Sequence, residues 1–145
     1  MKKITYLILT LIFILSCSKN DTSNRNPYLP DADFSFDINL NLPLYGSLST
    51  PGSSIYIGNN NVGIKGVFVF NTGSSYLAWE ASCPNHAPSS CSTMVIEGGT
   101  SCRCACEDYL YSLADGSPLV DSEVKLHGLL FYRVDVNGNV LRVSN

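Results

Sequence analysis

The chain has 145 residues, with nine Lys or Arg against twelve Asp or Glu and a formal charge of −3. That length suits one domain around one core. The acidic balance, with no basic patch, argues against nucleic acid and against electrostatic membrane binding.

The first predicted element is a leader. Met1-Lys2-Lys3 precedes a mostly apolar run over residues 4–15, the pattern of a signal peptide. The run is shorter than the roughly 20 apolar residues a spanning helix needs. It ends Ile14-Leu15-Ser16-Cys17, which resembles the bacterial lipobox, whose Cys is lipidated and becomes the first mature residue. Acyl chains contribute about 0.8 kcal/mol per buried methylene, so several together anchor a protein stably. The expected product is exported and held by lipid on Cys17 at the periplasmic or cell-surface face of a bacterial membrane. Beyond Cys17 the mature chain has seven Lys or Arg against twelve Asp or Glu, a formal charge of −5. Residues 18–30, SKNDTSNRNPYLP, are polar and proline-bearing and predict a flexible tether. The expected organisation is a signal peptide over 1–16, lipidated Cys and tether over 17–33, and one domain over 34–145.

That domain is predicted to be all-β. Residues 34–42 alternate apolar and polar, the period of a half-buried strand. Residues 54–57, 66–71 and 76–81 are further short β-rich runs separated by Gly, Asn and Pro. Residues 93–96 and 100–102 flank Glu97-Gly98-Gly99, a hairpin signal. Residues 109–113 lead into the turn Asp115-Gly116. Residues 130–136 and 140–143 flank Asn137-Gly138-Asn139, whose Asn-Gly step suits the positive φ angles of a tight turn. No stretch keeps a 3.6-residue apolar period long enough for a packed helix. Short strands at regular spacing point to a small sandwich or barrel.

Five cysteines remain after Cys17: Cys83, Cys91, Cys102, Cys104 and Cys106. An oxidising compartment favours pairing, and an odd number gives at least one another fate. Cys83-Pro84-Asn85-His86 and Cys104-Ala105-Cys106-Glu107-Asp108, followed by Tyr111, Ser112, Leu113 and Gly116, resemble the Rieske iron–sulfur family. That family has C-x-H in one loop and C-P-x-H-G-x-x-F-D-x-x-x-G in a second. The resemblance runs over roughly 34–145. It implies a small β sandwich or barrel carrying a two-loop, cluster-binding subdomain. Cys83 and Cys104 match the ligand cysteines. Asn85 and Glu107 stand where the two ligand histidines belong, Asp108 replaces a Gly, and Ala105 replaces a Pro. In a Rieske centre two thiolates hold one iron and two imidazoles the other, and a carboxylate is a harder ligand than either.

Three readings follow, two from the resemblance and one from the residue set itself. The preferred one is a cluster-free Rieske-like module acting by binding or structure, with no cofactor. In it Cys91 and Cys106 pair as some members tie their two loops, Cys83 and Cys104 face each other and join, and Cys102 stays unpaired. The second is a [2Fe-2S] electron-transfer protein in which Cys83 and Cys104 hold one iron, and His86 with Cys106 or Glu107 the other. The third is a structural zinc held by Cys83, His86, Cys104 and Cys106, a permitted tetrahedral set. The chain by itself is expected to be no enzyme, at most an electron-transfer component. A ring-hydroxylating oxygenase needs a catalytic iron domain for which no residues remain. Beyond the lipid contact with the membrane, the partner is a protein, a redox protein in the second reading. If residues 102–106 are extended, Cys102, Cys104 and Cys106 share a face at roughly 6.5–7 Å spacing. Their partners should then come from the first loop, with Cys91 beside Cys106 or Cys104.

Other conspicuous residues have plainer expectations. Trp79 and Tyr76 predict packing, and His127 a surface loop. Ser89 and Ser90 near His86 lack an acidic third member for a triad. Asp31, Asp33 and Asp37 predict a solvated entry to the first strand, without calcium-loop spacing.

Overall fold

A computed structural model describes residues 26–59 and 61–145. The leader, Cys17 and the first part of the tether lie outside them. The described chain is all-β, with one short 3₁₀ helix. Its strands are β1 (Ser35–Asn39), β2 (Ser54–Ile57), β3 (Val67–Asn71), β4 (Tyr76–Glu80), β5 (Val95–Glu97), β6 (Ser101–Arg103), β7 (Leu110–Ser112), β8 (Phe131–Asn137) and β9 (Val140–Ser144). A six-stranded antiparallel sheet has the order β1-β9-β8-β4-β3-β2, and a three-stranded sheet the order β5-β6-β7. The larger sheet's two halves meet over a short stretch, Ala78 opposite Tyr132 and Trp79 opposite Phe131, extended by the Glu80 N–H on the Leu130 carbonyl (2.8 Å). It therefore folds over between its halves and encloses a core.

The contiguous apolar run of β3 has a simple cause. Successive side chains of a strand point to opposite faces. Val67 and Val69 enter the core with Ile38, Ile57, Ala78, Tyr132, Leu141 and Val143. Phe68 and Phe70 enter a second core, with Trp79, Met94, Cys102, Tyr111 and Leu113, under the small sheet. A strand covered on both faces has no polar position to alternate with. β1 and β9, covered on one face, do alternate: Ile38 and Leu141 pair inside. Outside, Arg142 forks onto both carboxylate oxygens of Asp37 at 2.7 and 2.8 Å.

Several expectations are corrected. The strand expected over 34–42 stops at Asn39, and Pro43 opens a 3₁₀ helix, Pro43–Ser49, which buries Tyr45 and Leu48. Proline suits a first helical position because its φ is preset and its missing N–H is not needed there. The Asn137-Gly138-Asn139 hairpin has Asn137 in β8, paired with Val140, and a positive φ only at Gly138 (57°). That is the pattern of a type II′ turn. The tether does not run free to residue 33. From Asn26 onward it lies on the domain: the Asn26 amide donates to the Pro84 carbonyl at 2.7 Å. Leu29 is buried, and the Tyr28 ring stands edge-on to His127 at 5.8 Å.

Candidate functional site

Two loops meet at one end of the small sheet. The first leaves β4 and is closed at its base by the bridge between Ser82 and Thr93 and by the Cys83 N–H on the Ser92 carbonyl (2.8 Å). The second joins β6 to β7. Here the condition of an extended path over 102–106 is not met: the chain turns after Cys104. The Asp108 N–H donates to the Cys104 carbonyl (2.9 Å), and the Cys104 N–H to that of Tyr109 (2.8 Å). The turn needs a left-handed residue at 108, which is why glycine suits this position in the family motif. Asp108 takes φ 62°, a region Asp tolerates better than most residues. Arg103 holds it, donating to the Asp108 carbonyl (3.0 Å) and carboxylate (3.1 Å) while forking onto Glu97 (2.7 and 3.0 Å). The Arg103 guanidinium keeps the Glu97 carboxyl below its ordinary range.

The loops are joined twice. Cys83 is bonded to Cys104, and Cys91 to Cys106, with Cα separations of 5.5 and 5.4 Å. The inner pair is wholly buried. In the outer pair Cys91 is exposed and Cys106 half-buried. Cys102, on β6, is free and buried, 3.9 Å from the Met94 sulfur, and burial pushes its thiol up to about 12. With the other four described cysteines paired, Cys102 is left as a thiol in the core.

Beside the inner disulfide, His86 Nε2 lies 3.3 Å from Glu107 Oε1 and 3.8 Å from Cys104 Sγ. His86 Nδ1–H donates to the Ala87 carbonyl at 2.8 Å. Glu107 Oε2 is 2.8 Å from Cys104 Sγ. A disulfide sulfur has no proton to donate, so this is a packing contact. Ligand atoms of Cys83, His86, Cys104, Cys106 and Glu107 all lie within 4.8 Å of one another. The structure thus gathers all five candidate ligands, with Cys91 at the rim. Ser89 Oγ contacts Cys91 Sγ at 3.3 Å, and no triad forms around it among the described residues.

A standard Rieske centre takes two thiolates on one iron and two imidazoles on the other, and the described residues differ from that set. Both cysteines that match the family ligands are spent on one another, and one imidazole borders the site where two are needed. Asn85 is committed elsewhere. Its amide donates to the Tyr111 hydroxyl (2.8 Å) and the His127 carbonyl (3.2 Å) and accepts the His127 N–H (2.7 Å). His127, expected on a surface loop, is therefore half-buried, its backbone gripped by Asn85 and its ring by Tyr28. Burial pushes the Tyr111 hydroxyl up to about 12, against the lowering effect of the Asn85 amide.

Trp79 and Tyr76 pack as expected: Trp79 Nε1 donates to the Leu113 carbonyl (2.9 Å), and the Tyr76 hydroxyl lies 3.4 Å from the Leu48 carbonyl. Sequence reasoning missed Glu80. This fully buried carboxylate accepts the N–H groups of Ile64, Lys65 and Ser82 and the Tyr132 hydroxyl, all at 2.7–2.8 Å. The one available signal was an acidic residue closing an otherwise apolar run.

The Rieske-like architecture implied by the motif is present: two facing loops on a small sheet, set against a larger antiparallel one. No family model matches the chain, and no curated protein matches it. Among solved structures it is similar to the ferredoxin of carbazole 1,9a-dioxygenase from Nocardioides aromaticivorans IC177, at 20% identity, 66% of this chain, 86% of that chain and TM-score 0.43. It is also similar to a protein described as an NADH-dependent nitrite reductase small subunit from Mycobacterium tuberculosis (17%; 79% and 97%; 0.44). A third is the Sphingomonas yanoikuyae B1 ferredoxin (12%; 68% and 93%; 0.44). At these values the overlays carry no weight for chemistry, which this chain's own side chains decide.

Proposed function

We propose that this is an exported, lipid-anchored Rieske-like module in which a disulfide has taken the place of the iron–sulfur cluster. It works by binding through its two loop tips. The observation that carries this is the Cys83–Cys104 bond between the two residues that match the family's thiolate ligands. Asn85 supports it, since the residue at the first histidine position serves as a clamp rather than a ligand. Loops held by a rigid scaffold commonly bind. A groove of about 290 Å³ beside the tips is lined by Tyr28, Asn85, Glu107, Tyr109, Lys125 and His127 among others, offering both charges and aromatic faces to a protein or ligand. Lipid on Cys17 would keep that groove near a membrane.

The test is the iron, zinc and acid-labile sulfide content of residues 18–145, purified without oxygen or chelator, with a peptide map run without reduction. The expected result is no iron and no sulfide, with Cys83 linked to Cys104 and Cys91 to Cys106. About two irons and two sulfides per chain would replace this reading with electron transfer. One zinc without sulfide, with Cys83, Cys104 and Cys106 unpaired, would replace it with a structural zinc site.

A further inference from the structure

The two disulfides are neighbours with opposite access. Cys106 Sγ lies within 4.8 Å of both Cys83 Sγ and Cys104 Sγ, close to sulfur–sulfur contact. Its own partner Cys91 is exposed, whereas Cys83 and Cys104 have no accessible surface. A reductant in solution can therefore reach the outer pair and not the inner one. Disulfides exchange by attack of one sulfur on another through a mixed disulfide, at rates governed by access and by the leaving thiol. The surroundings suit each stage. Ser89 Oγ stands 3.3 Å from Cys91 Sγ and 3.9 Å from Cys106 Sγ, so its hydroxyl can donate to either sulfur as it leaves. At the inner end, Glu107 Oε2 and His86 Nε2 lie 2.8 and 3.8 Å from Cys104 Sγ, acceptors for a Cys104 thiol once one exists.

We propose that Cys91–Cys106 and Cys83–Cys104 form a thiol–disulfide relay, in which the outer pair takes two electrons from an external dithiol and passes them to the inner pair. This rests on the cluster-free reading above. In the first step a dithiol reduces Cys91–Cys106. The dithiol becomes a disulfide, and its two protons end on Cys91 and Cys106. In the second, Cys106 sulfur attacks Cys104 sulfur: the Cys104–Cys106 bond forms, the Cys83–Cys104 bond breaks, and Cys83 takes the proton that Cys106 gives up. In the third, Cys91 sulfur attacks Cys106 sulfur: the Cys91–Cys106 bond forms, the Cys104–Cys106 bond breaks, and Cys104 takes the proton that Cys91 gives up. The net change is one dithiol oxidised and the inner disulfide reduced. Run backwards, the same steps let an external disulfide oxidise the inner pair. The partner is thus a protein or small molecule carrying a redox-active dithiol.

The test uses the full chain in detergent, with one equivalent of a soluble dithiol, timed alkylation and peptide mapping. Label should appear first on Cys91 and Cys106 and then move to Cys83 and Cys104 without further reductant. In the double variant Cys91→Ser, Cys106→Ser, reduction of Cys83–Cys104 should slow about tenfold or more, because the buried pair has lost its accessible intermediary. An unchanged rate in that variant, or label that never leaves the outer pair in the native chain, overturns the relay. As a second measurement, the Cys83→Ser chain should contain Cys104–Cys106 beside Cys91–Cys106 before any reductant is added; Cys91–Cys106 alone counts against exchange. Failure of the underlying reading looks different: the untreated chain would then lack the Cys83–Cys104 peptide altogether.

Discussion

Asn85 shows how a single residue can hold a loop where a metal ligand is expected. A primary amide offers two donors and an acceptor in one plane, and here all are used. They reach across from the first loop to the hydroxyl of β7's Tyr111 and to both backbone groups of His127. Removing the amide strands a tyrosine hydroxyl and a backbone N–H inside a half-buried pocket. Each unpaired group of that kind costs about 1–3 kcal/mol. Asn85→Ala, which strands two such groups, is therefore expected to lower unfolding free energy by roughly 2–6 kcal/mol, measured by denaturant titration, and to raise amide exchange at His127 ahead of the strands. Asn85→Asp keeps the acceptor and loses both donors, so His127 N–H should stay protected and the Tyr111 hydroxyl can turn to donate to the new carboxylate, while the His127 carbonyl loses its donor. Equal exchange in both variants would mean the clamp is not made by Oδ1.

Gly116 explains, one level up, how the small sheet is set on the large one. The turn after β7 takes φ 74° at this residue. A Cβ there would stand 2.7 Å from Trp79 Cζ3, while Trp79 Nε1 donates to Leu113 from beneath the same turn. The turn thus sits directly on the β4 indole. Gly116→Ala would force both a left-handed alanine, costing about 1–3 kcal/mol, and a displaced indole. The expected outcome is a lower unfolding midpoint and a shifted fluorescence of Trp79, the chain's one tryptophan; an unchanged emission would place the turn farther from the ring. Elements of this kind were partly legible. Strands β2, β3, β4, β8 and β9 follow from residues 54–57, 66–71, 76–81, 130–136 and 140–143, because local alternation and β-branched runs report burial directly. The Gly116 position was legible through the family motif, its reason was not, since Trp79 is distant in sequence. Likewise no local pattern places residues 61–66 around Glu80. Its N–H partners Ile64 and Lys65 lie 16 and 15 residues upstream. Nor does extended-strand geometry foresee the turn at 104–108, since a positive φ at Asp108 is paid for by Arg103 contacts that the sequence does not display.

For the whole molecule, the two cores make stability depend on pH very unevenly. Each core holds a tyrosine whose hydroxyl must stay protonated. Tyr111 is pushed up to about 12 by burial, and Tyr132 still higher, by burial and by the Glu80 carboxylate it donates to. Cys102 is likewise pushed up to about 12 by burial. The folded state binds these protons more tightly than the unfolded chain, whose tyrosines and thiols ionise near 10.0 and 9.0. A raised folded pKa gives stability that is fully present below the unfolded value and lost as pH climbs toward the folded one. Each such group contributes a slope of about 1.4 kcal/mol per pH unit inside its window. On the acid side the sign reverses. Asp37 is lowered by its Arg142 hydrogen bond, Glu97 by Arg103 and Asp115 by Ser117, so their contribution is present at neutral pH and lost as pH falls through the carboxylate range. These groups face solvent, where ion pairs are weak and screened by salt. Urea midpoints followed by Trp79 fluorescence should therefore fall steeply between pH 9 and 12 with no sensitivity to salt. Below pH 4 they should fall gently, and less so in high salt. A flat midpoint from pH 9 to 11 would mean that water reaches the Tyr111 and Tyr132 hydroxyls, and with it the pocket in which Asn85 and the inner disulfide sit.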